Sequence, residues 1–261
     1  VTTADGSTAS NEEVKLYQKI EGQNLQSIKK GTSEAKQITL SFYVKTNKTG
    51  TYVVEFYDRD NNRDVSASYT VADTNWNRYE LTFPADTTGA FDNDNASSFE
   101  IQWWLVAGSA VQGGTLNTSW RSAADASSAT GQVNFADNTA NNFQITGVQL
   151  EVGDTATPFE HRSYSDEIQR CQRYYYQDDT ANHFLRSFHA AATGDWYEDY
   201  PLPVVMRATP TWTSQLGGDV SKVNAVSISG RTAKSGYVRF TVSSTGQGYC
   251  SLNTVTADAE L

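Results

Sequence analysis

"KQITLSFYVKTNKTGTYVVEFYDRDNNRDVSASYTV", residues 36–71, holds three runs of apolar and polar residues in alternation, parted by two polar turns. In the first run Ile38, Leu40, Phe42 and Val44 share one side, and Thr39, Ser41, Tyr43 and Lys45 share the other. That period of two is the signature of a strand with one buried and one wet face. "TNKTG" and "DRDNNRD" are rich in residues that tolerate tight turns, so the three runs read as antiparallel hairpins. The pattern continues outward through "WNRYELTF" (76–83), "SFEIQWWLVAG" (98–108) and "FQITGVQLEV" (143–152). Six short strands with regular turn signals predict an antiparallel β-sandwich of the jelly-roll kind. Residues 1 to about 35 read as polar and irregular. The stretch 108–142, full of small residues, reads as a structured excursion, because a plain loop of that length is uncommon in a compact domain.

After the last of these strands, Pro158 forbids further central pairing and holds Thr157 extended. "SYSDEIQRCQRYYYQ" (163–177) then places Ser163 and Asp166 at the spacing of a capping box, with Ile168, Cys171 and Tyr174 or Tyr175 on one helical stripe. A helix of about three turns is marginal alone, so it is expected to pack on something. From 178 onward the strand pattern returns, with Pro201, Pro203 and Pro210 at edges. The expected organisation is all-β: an antiparallel jelly-roll sandwich over 1–162, a connector helix over 163–177, and a smaller β-domain over 178–261.

Composition agrees with a chain rich in strands. The 261 residues include 6 Trp, 14 Tyr and 11 Phe, while only 19% are charged. Large rings supply a core where aliphatic residues are scarce. The formal charge of −10 repels phosphate, so nucleic acid and anionic membrane surfaces are excluded as expected partners. No apolar run reaches the length of a membrane-spanning helix. Cys171 and Cys250 stand far apart with no metal-binding spacing; both are expected to be free, partly buried thiols, with a single bond between them as the alternative.

The joint "FQITGVQLEVGDTATPFEHRSYSDEIQRCQRYYY", with "KIEGQNLQ", "TLNTSW" and the closing "TADAEL", resembles fibre and receptor-binding proteins of tailed bacteriophages. In that group a jelly roll similar to carbohydrate-binding modules ends in such a strand, turn and helix. The resemblance covers most of 14–177. It implies a virion protein of a tail or head fibre, associated with other virion proteins, a homotrimer, and a module that contacts a host cell-surface glycan for attachment.

Parity along "FEIQWWLV" (99–106) puts Trp103 in the core and Trp104 beside Glu100 and Gln102 on a face that reads as wet. An exposed indole flanked by hydrogen-bonding side chains suits a sugar, whose C–H face stacks on the ring. Tyr43 and Tyr57 occupy similar positions. If they share a sheet with Trp104, the three form a platform with Arg59, Glu100 and Gln102 as polar contacts. The competing reading packs Trp104 under the 108–142 excursion or against a neighbouring subunit. Trp120 either lines the rim of such a site or pins the excursion to the body. The loops 58–64 and 90–98 are oxygen-rich and could take a structural calcium, though turn chemistry explains their Asp and Asn residues equally well. No other cofactor is expected. No nucleophile, zinc or phosphate-loop motif occurs, so the chain is not expected to be an enzyme. A polysaccharide-degrading tip remains the alternative, since only coordinates show whether two carboxylates converge.

Overall fold

The computed structural model describes residues 1–178, 183–217 and 220–261. Its strands in the first half of the chain are β1 (Glu13–Glu21), β2 (Ile38–Thr46), β3 (Gly50–Asp58), β4 (Arg63–Val71), β5 (Asn77–Phe83), β6 (Ser97–Ala107), the short β7 (Arg121–Ser122) and β8 (Phe143–Val152). Helix α1 (Tyr164–Gln172) follows. The second half holds β9 (Tyr175–Asp178), β10 (His183–Ala190), β11 (Gly194–Pro201), β12 (Thr211–Leu216), β13 (Val223–Thr232), β14 (Ser235–Val242) and β15 (Gly246–Asp258). Every pairing is antiparallel. The chain divides into two compact units, Val1–Glu160 and His161–Leu261.

The first unit is a sandwich of two sheets, one ordered β1-β6-β3-β4-β7 and the other β5-β2-β8. The alternation in the sequence decides which side chains meet between them. Ile38, Leu40, Phe42 and Val44 from β2 face Tyr52, Val54 and Phe56 from β3, Val65 and Tyr69 from β4, and Phe99, Ile101 and Trp103 from β6. Rings carry much of the contact: Phe56 stacks on Phe83 with centroids 3.7 Å apart, and Phe42 meets Trp103 edge-on at 5.8 Å. The six expected strands are all present. The polar start, expected to be irregular, instead supplies edge strand β1, whose partner in register is β6.

One end of this sandwich is closed by buried charge. The Lys30 ammonium donates to Asp58 at the end of β3 and to the carbonyls of Thr88 and Gly89, each at 2.9 Å, and pairs with Asp86 at 3.0 Å. Arg63 donates to the same Asp86 through Nε at 2.7 Å. The side chains of Lys30 and Asp58 are 2% and 0% exposed. The ammonium also lies over the rings of Phe91 and Trp120, at 5.3 and 5.1 Å.

The second unit has its own core, built from Tyr200, Val238, Phe240, Leu252 and Val255. Strand β14 lies between β11 and β13, and β15 pairs with β9, β10 and β12. Helix α1 starts as the sequence requires, with Ser163 Oγ accepting from the Asp166 N–H at 3.2 Å. It is shorter than expected, since Tyr175 already belongs to β9. The expectation that it docks is not met: none of its residues is buried, and Tyr164 and Ile168 are exposed. Neither Cys171, which is exposed, nor Cys250, which is buried, forms a disulfide. No helix among the described residues is long and apolar enough to cross a membrane.

Removing one member of a buried ion cluster strands the others in a poor solvent, at about 3–5 kcal/mol. Lys30→Met should lower the unfolding free energy of the first unit by that amount in denaturant titrations. Adding Asp58→Asn and Asp86→Asn to it should restore part of the loss. A Lys30→Met protein as stable as the wild type would show that the cluster does not hold this end together.

Candidate functional site

The outer face of the five-stranded sheet is where the excursion matters. Register sets neighbours across it: Tyr17 of β1, Gln102 of β6, Glu55 of β3 and Ser66 of β4 form one row, and Lys19, Glu100, Tyr57 and Asp64 form the next. The segment 108–142 folds back over part of this face. Val111, Ala129 and Leu116 pack on Val53, Trp104 and Ala107 to form a small second core. Backbone bonds stitch it down, from Val133 N–H to Thr51 O and from Ser66 N–H to Asn117 O, each at 2.8 Å. Arg121 clamps Asp64 through Nε and Nη2, both at 2.9 Å. What the excursion leaves uncovered is a cleft of about 260 Å³ lined by Lys15, Glu55, Tyr57, Asn62, Gln102, Asp125 and Ser128, among others.

The aromatic platform is not formed. Trp104 is 1% exposed, because the excursion covers it; its Nε1 donates to Glu55 at 2.9 Å and the Lys15 ammonium sits 3.7 Å above its ring. Parity placed it correctly on the outer face, but that face is not wet at this point. Tyr43 lies on β2, in the other sheet, and cannot share a surface row with Trp104. A Cβ on Gly147, which sits at φ +58°, would come within 3.0 Å of the Tyr43 ring. Trp120 is the pin: its Nε1 donates to the Pro84 carbonyl at 2.8 Å beneath Lys30.

Tyr57, Arg59, Glu100 and Gln102 do come together. Tyr57 lines the cleft and donates its hydroxyl to Asn62 at 2.8 Å. Arg59 binds Glu100 at 2.6 Å, and Glu100 accepts from Gln102 Nε2 at 2.7 Å. The expectation thus missed Lys15, Glu55, Asn62, Asp125 and Ser128, and Tyr17, an exposed ring on the same face. A signal existed for Glu55, an acid between two core residues in "YVVEFYD" and on the parity of Tyr57.

Glu55 is the unusual group. Burial pushes its carboxyl up to about 7; Asp64 and Glu13 add to the rise, while Lys15 and the Trp104 N–H oppose it. The oxygen-rich loops are satisfied internally. Asp58 is held by Lys30, Asp60 accepts from the Asp92 N–H, and Asp94 accepts from the Ala96 N–H. Among the described residues no three His, Cys, Asp or Glu cluster as a metal site.

No family model matches the chain, and no curated protein does. A solved structure, "Crystal structure of Cucumber Necrosis Virus", is 12% identical over 100% of this chain and 84% of that one, with a TM-score of 0.23, too low to define a shared fold.

A carboxyl raised from its unfolded value makes folding bind a proton. Stability should therefore be greatest below the unfolded value of about 4.5, as far as Glu55 is concerned, and fall as pH rises to about 7. Glu55→Gln keeps an acceptor for Trp104 and removes the titration. Thermal melting from pH 5 to 8 should show a flatter profile in the variant, and a higher melting temperature than wild type at pH 8. Parallel profiles would mean that Glu55 titrates normally.

Proposed function

We propose that this chain is a structural protein of a virion fibre, of tail or head, whose first unit binds a host-surface glycan at the cleft on its five-stranded sheet. The observation that carries this reading is the cleft itself. It is half-open, polar, and floored by a rigid sheet, with Tyr57 on its wall and exposed Tyr17 on the same face. Sugars need both a ring surface and fixed hydrogen-bonding groups. Gln102 supplies the latter from strand β6, and Asn62 and Ser128 supply it from loops in which Asn62 is held by Tyr57 and Ser128 by Asp64 and the Ala124 carbonyl. The resemblance of the joint at 143–176 to fibre proteins supports the virion part of the reading. Recognition rather than turnover is proposed, because Glu100, held by Arg59 and Gln102, is committed to its partners.

Hydrolysis has one observation in its favour, a carboxyl raised to about 7 in a cleft that also holds Asp125. It predicts release of reducing ends from a bacterial polysaccharide, abolished by Glu55→Gln.

The homotrimer belongs to the same proposal. Helix α1 is too short to persist with Tyr164 and Ile168 in water, so copies of the same chain are proposed to cover it. Sedimentation should give a trimer that Ile168→Asp dissociates. A monomeric wild type would remove this part.

The purified chain should bind a bacterial polysaccharide array. Tyr57→Ala or Gln102→Ala, each losing a contact of about 1–1.5 kcal/mol, should weaken binding about tenfold with unchanged circular dichroism. Absence of binding by the native oligomer would overturn the glycan reading, and reducing-end release would replace it with hydrolysis.

A further inference from the structure

The floor of the cleft presents acceptors on neighbouring strands, at Gln102 and Glu55. Glu100 is a carboxylate fixed by Arg59, and it can only accept, so the Gln102 amide must turn its NH₂ towards it. This orients the opposite atom: Gln102 Oε1, on a side chain 8% exposed, has no hydrogen-bond partner among the described residues. Directly across the sheet stands Glu55, 6% exposed, with Oε2 accepting from Trp104 and no protein donor on its other oxygen. Gln102 Oε1, which is buried, and the second Glu55 oxygen are thus two acceptors on one row of the sheet, neither with a donor from the described residues. A buried acceptor left without a donor is costly, so the site favours a ligand that brings N–H or O–H groups.

The surrounding charges choose between those. Glu13 and Lys15 reach Glu55 from β1, Glu100 lies on β6, Asp64 on β4, Arg121 on β7, and Asp125 on the excursion. Both cations are already engaged. Lys15 pairs with Glu13 at 3.0 Å while lying over Trp104, and Arg121 is spent on Asp64. Glu55 and Asp125 line the cleft, and among the described residues neither is in an ion pair, although Lys15 and Arg121 act on Glu55 from a distance.

We propose that this cleft recognises a protonated amine, and hence that the glycan it takes carries a free amino sugar. This rests on the glycan reading above and narrows it. The ammonium would donate to Glu55 and to Gln102 Oε1, and Asp125 would attract it at the mouth. Because an ammonium needs the ionised carboxylate, affinity depends on the fraction of Glu55 that is ionised. That fraction rises with pH while the carboxyl sits near 7 in the free protein.

The test is calorimetric titration of the full chain with a methyl 6-amino-6-deoxyhexoside, its N-acetyl derivative, the parent methyl hexoside and a linear polyamine, at pH 5 and 6.5. The expected result is a preference of at least tenfold for the amino sugar over its acetylated and neutral forms. Its affinity should rise about twentyfold between the two pH values, and both effects should vanish in Glu55→Gln. Asp125→Asn, on the excursion and away from the core, should weaken only the amino sugar, a check that does not depend on how Glu55→Gln folds. Equal binding of the amino and neutral sugars would overturn this inference and leave the glycan reading standing. Binding of the polyamine alone would overturn the sugar and keep the amine. No binding of any probe would overturn the inference, and failure on the polysaccharide array as well would remove the glycan reading with it.

Discussion

Everything at the site depends on one ammonium ion away from it. Lys30 reaches into the end of the sandwich and gathers Asp58 from β3, Asp86 and two carbonyls from the β5–β6 connection, and the rings of Phe91 and Trp120. Burying one ammonium alone costs several kcal/mol, so its stability comes from saturation: two carboxylates, two carbonyl oxygens and two π faces replace its water. The cluster is a fastener with many ends. It fixes where β3 stops, and so the hairpin that carries Tyr57, Arg59 and Asn62. It also fixes Trp120, the root of the excursion that makes the cleft. A hydrophobic plug of the same volume would fill the space but would not dictate which strand end meets which loop.

The excursion is the second constraint. A five-stranded sheet with one face in the core leaves the other to solvent, and polar side chains on that face are ordinarily of little consequence. Here the chain between β6 and β8 doubles back, buries Trp104 under Val111 and Ala129, and ties itself down through Arg121 and Asp64. Glu55 is desolvated by this covering and not by its own strand. An acid that would be ordinary on an open sheet becomes one raised to about 7. The Gln102 amide, held by the Glu100 carboxylate, lines the cleft that this covering leaves. Chemistry at the cleft therefore arises where a loop meets a sheet, with neither partner sufficient.

This explains which parts were legible in the sequence. Period-two alternation over 36–71, 98–108 and 143–152 identifies strands because burial of one face demands it, and the Ser163 cap marks the start of α1 because helix N-termini leave N–H groups unpaired. Strand β1 escaped because an edge strand need not alternate: Val14, Leu16 and Tyr17 are all exposed. Parity within β6 correctly put Trp104 on the outer face, but parity says nothing about what lies over that face. Nor does it say which sheet a strand joins, which is how Tyr43 was placed beside Tyr57. Those are facts about contacts between residues far apart in sequence, and local patterns do not carry them.

The cleft also runs against the stability of the unit that contains it. A buried carboxyl that resists ionisation and an amide oxygen with no donor both weaken the fold, and replacing Glu55 by an apolar residue would remove one such cost outright. Structural needs alone would favour that replacement, since Trp104 is already packed by Val53 and Ala107 and requires only a modest acceptor for its N–H. Within the same sandwich the Lys30 ammonium is saturated with partners, whereas Gln102 Oε1 at the cleft has none among the described residues. Such local departures are expected where a surface is shaped by what it binds, because the missing partners arrive with the ligand. The two buried polar clusters of the first unit thus differ in kind: the one around Lys30 is complete, and the one at the cleft leaves an amide oxygen open.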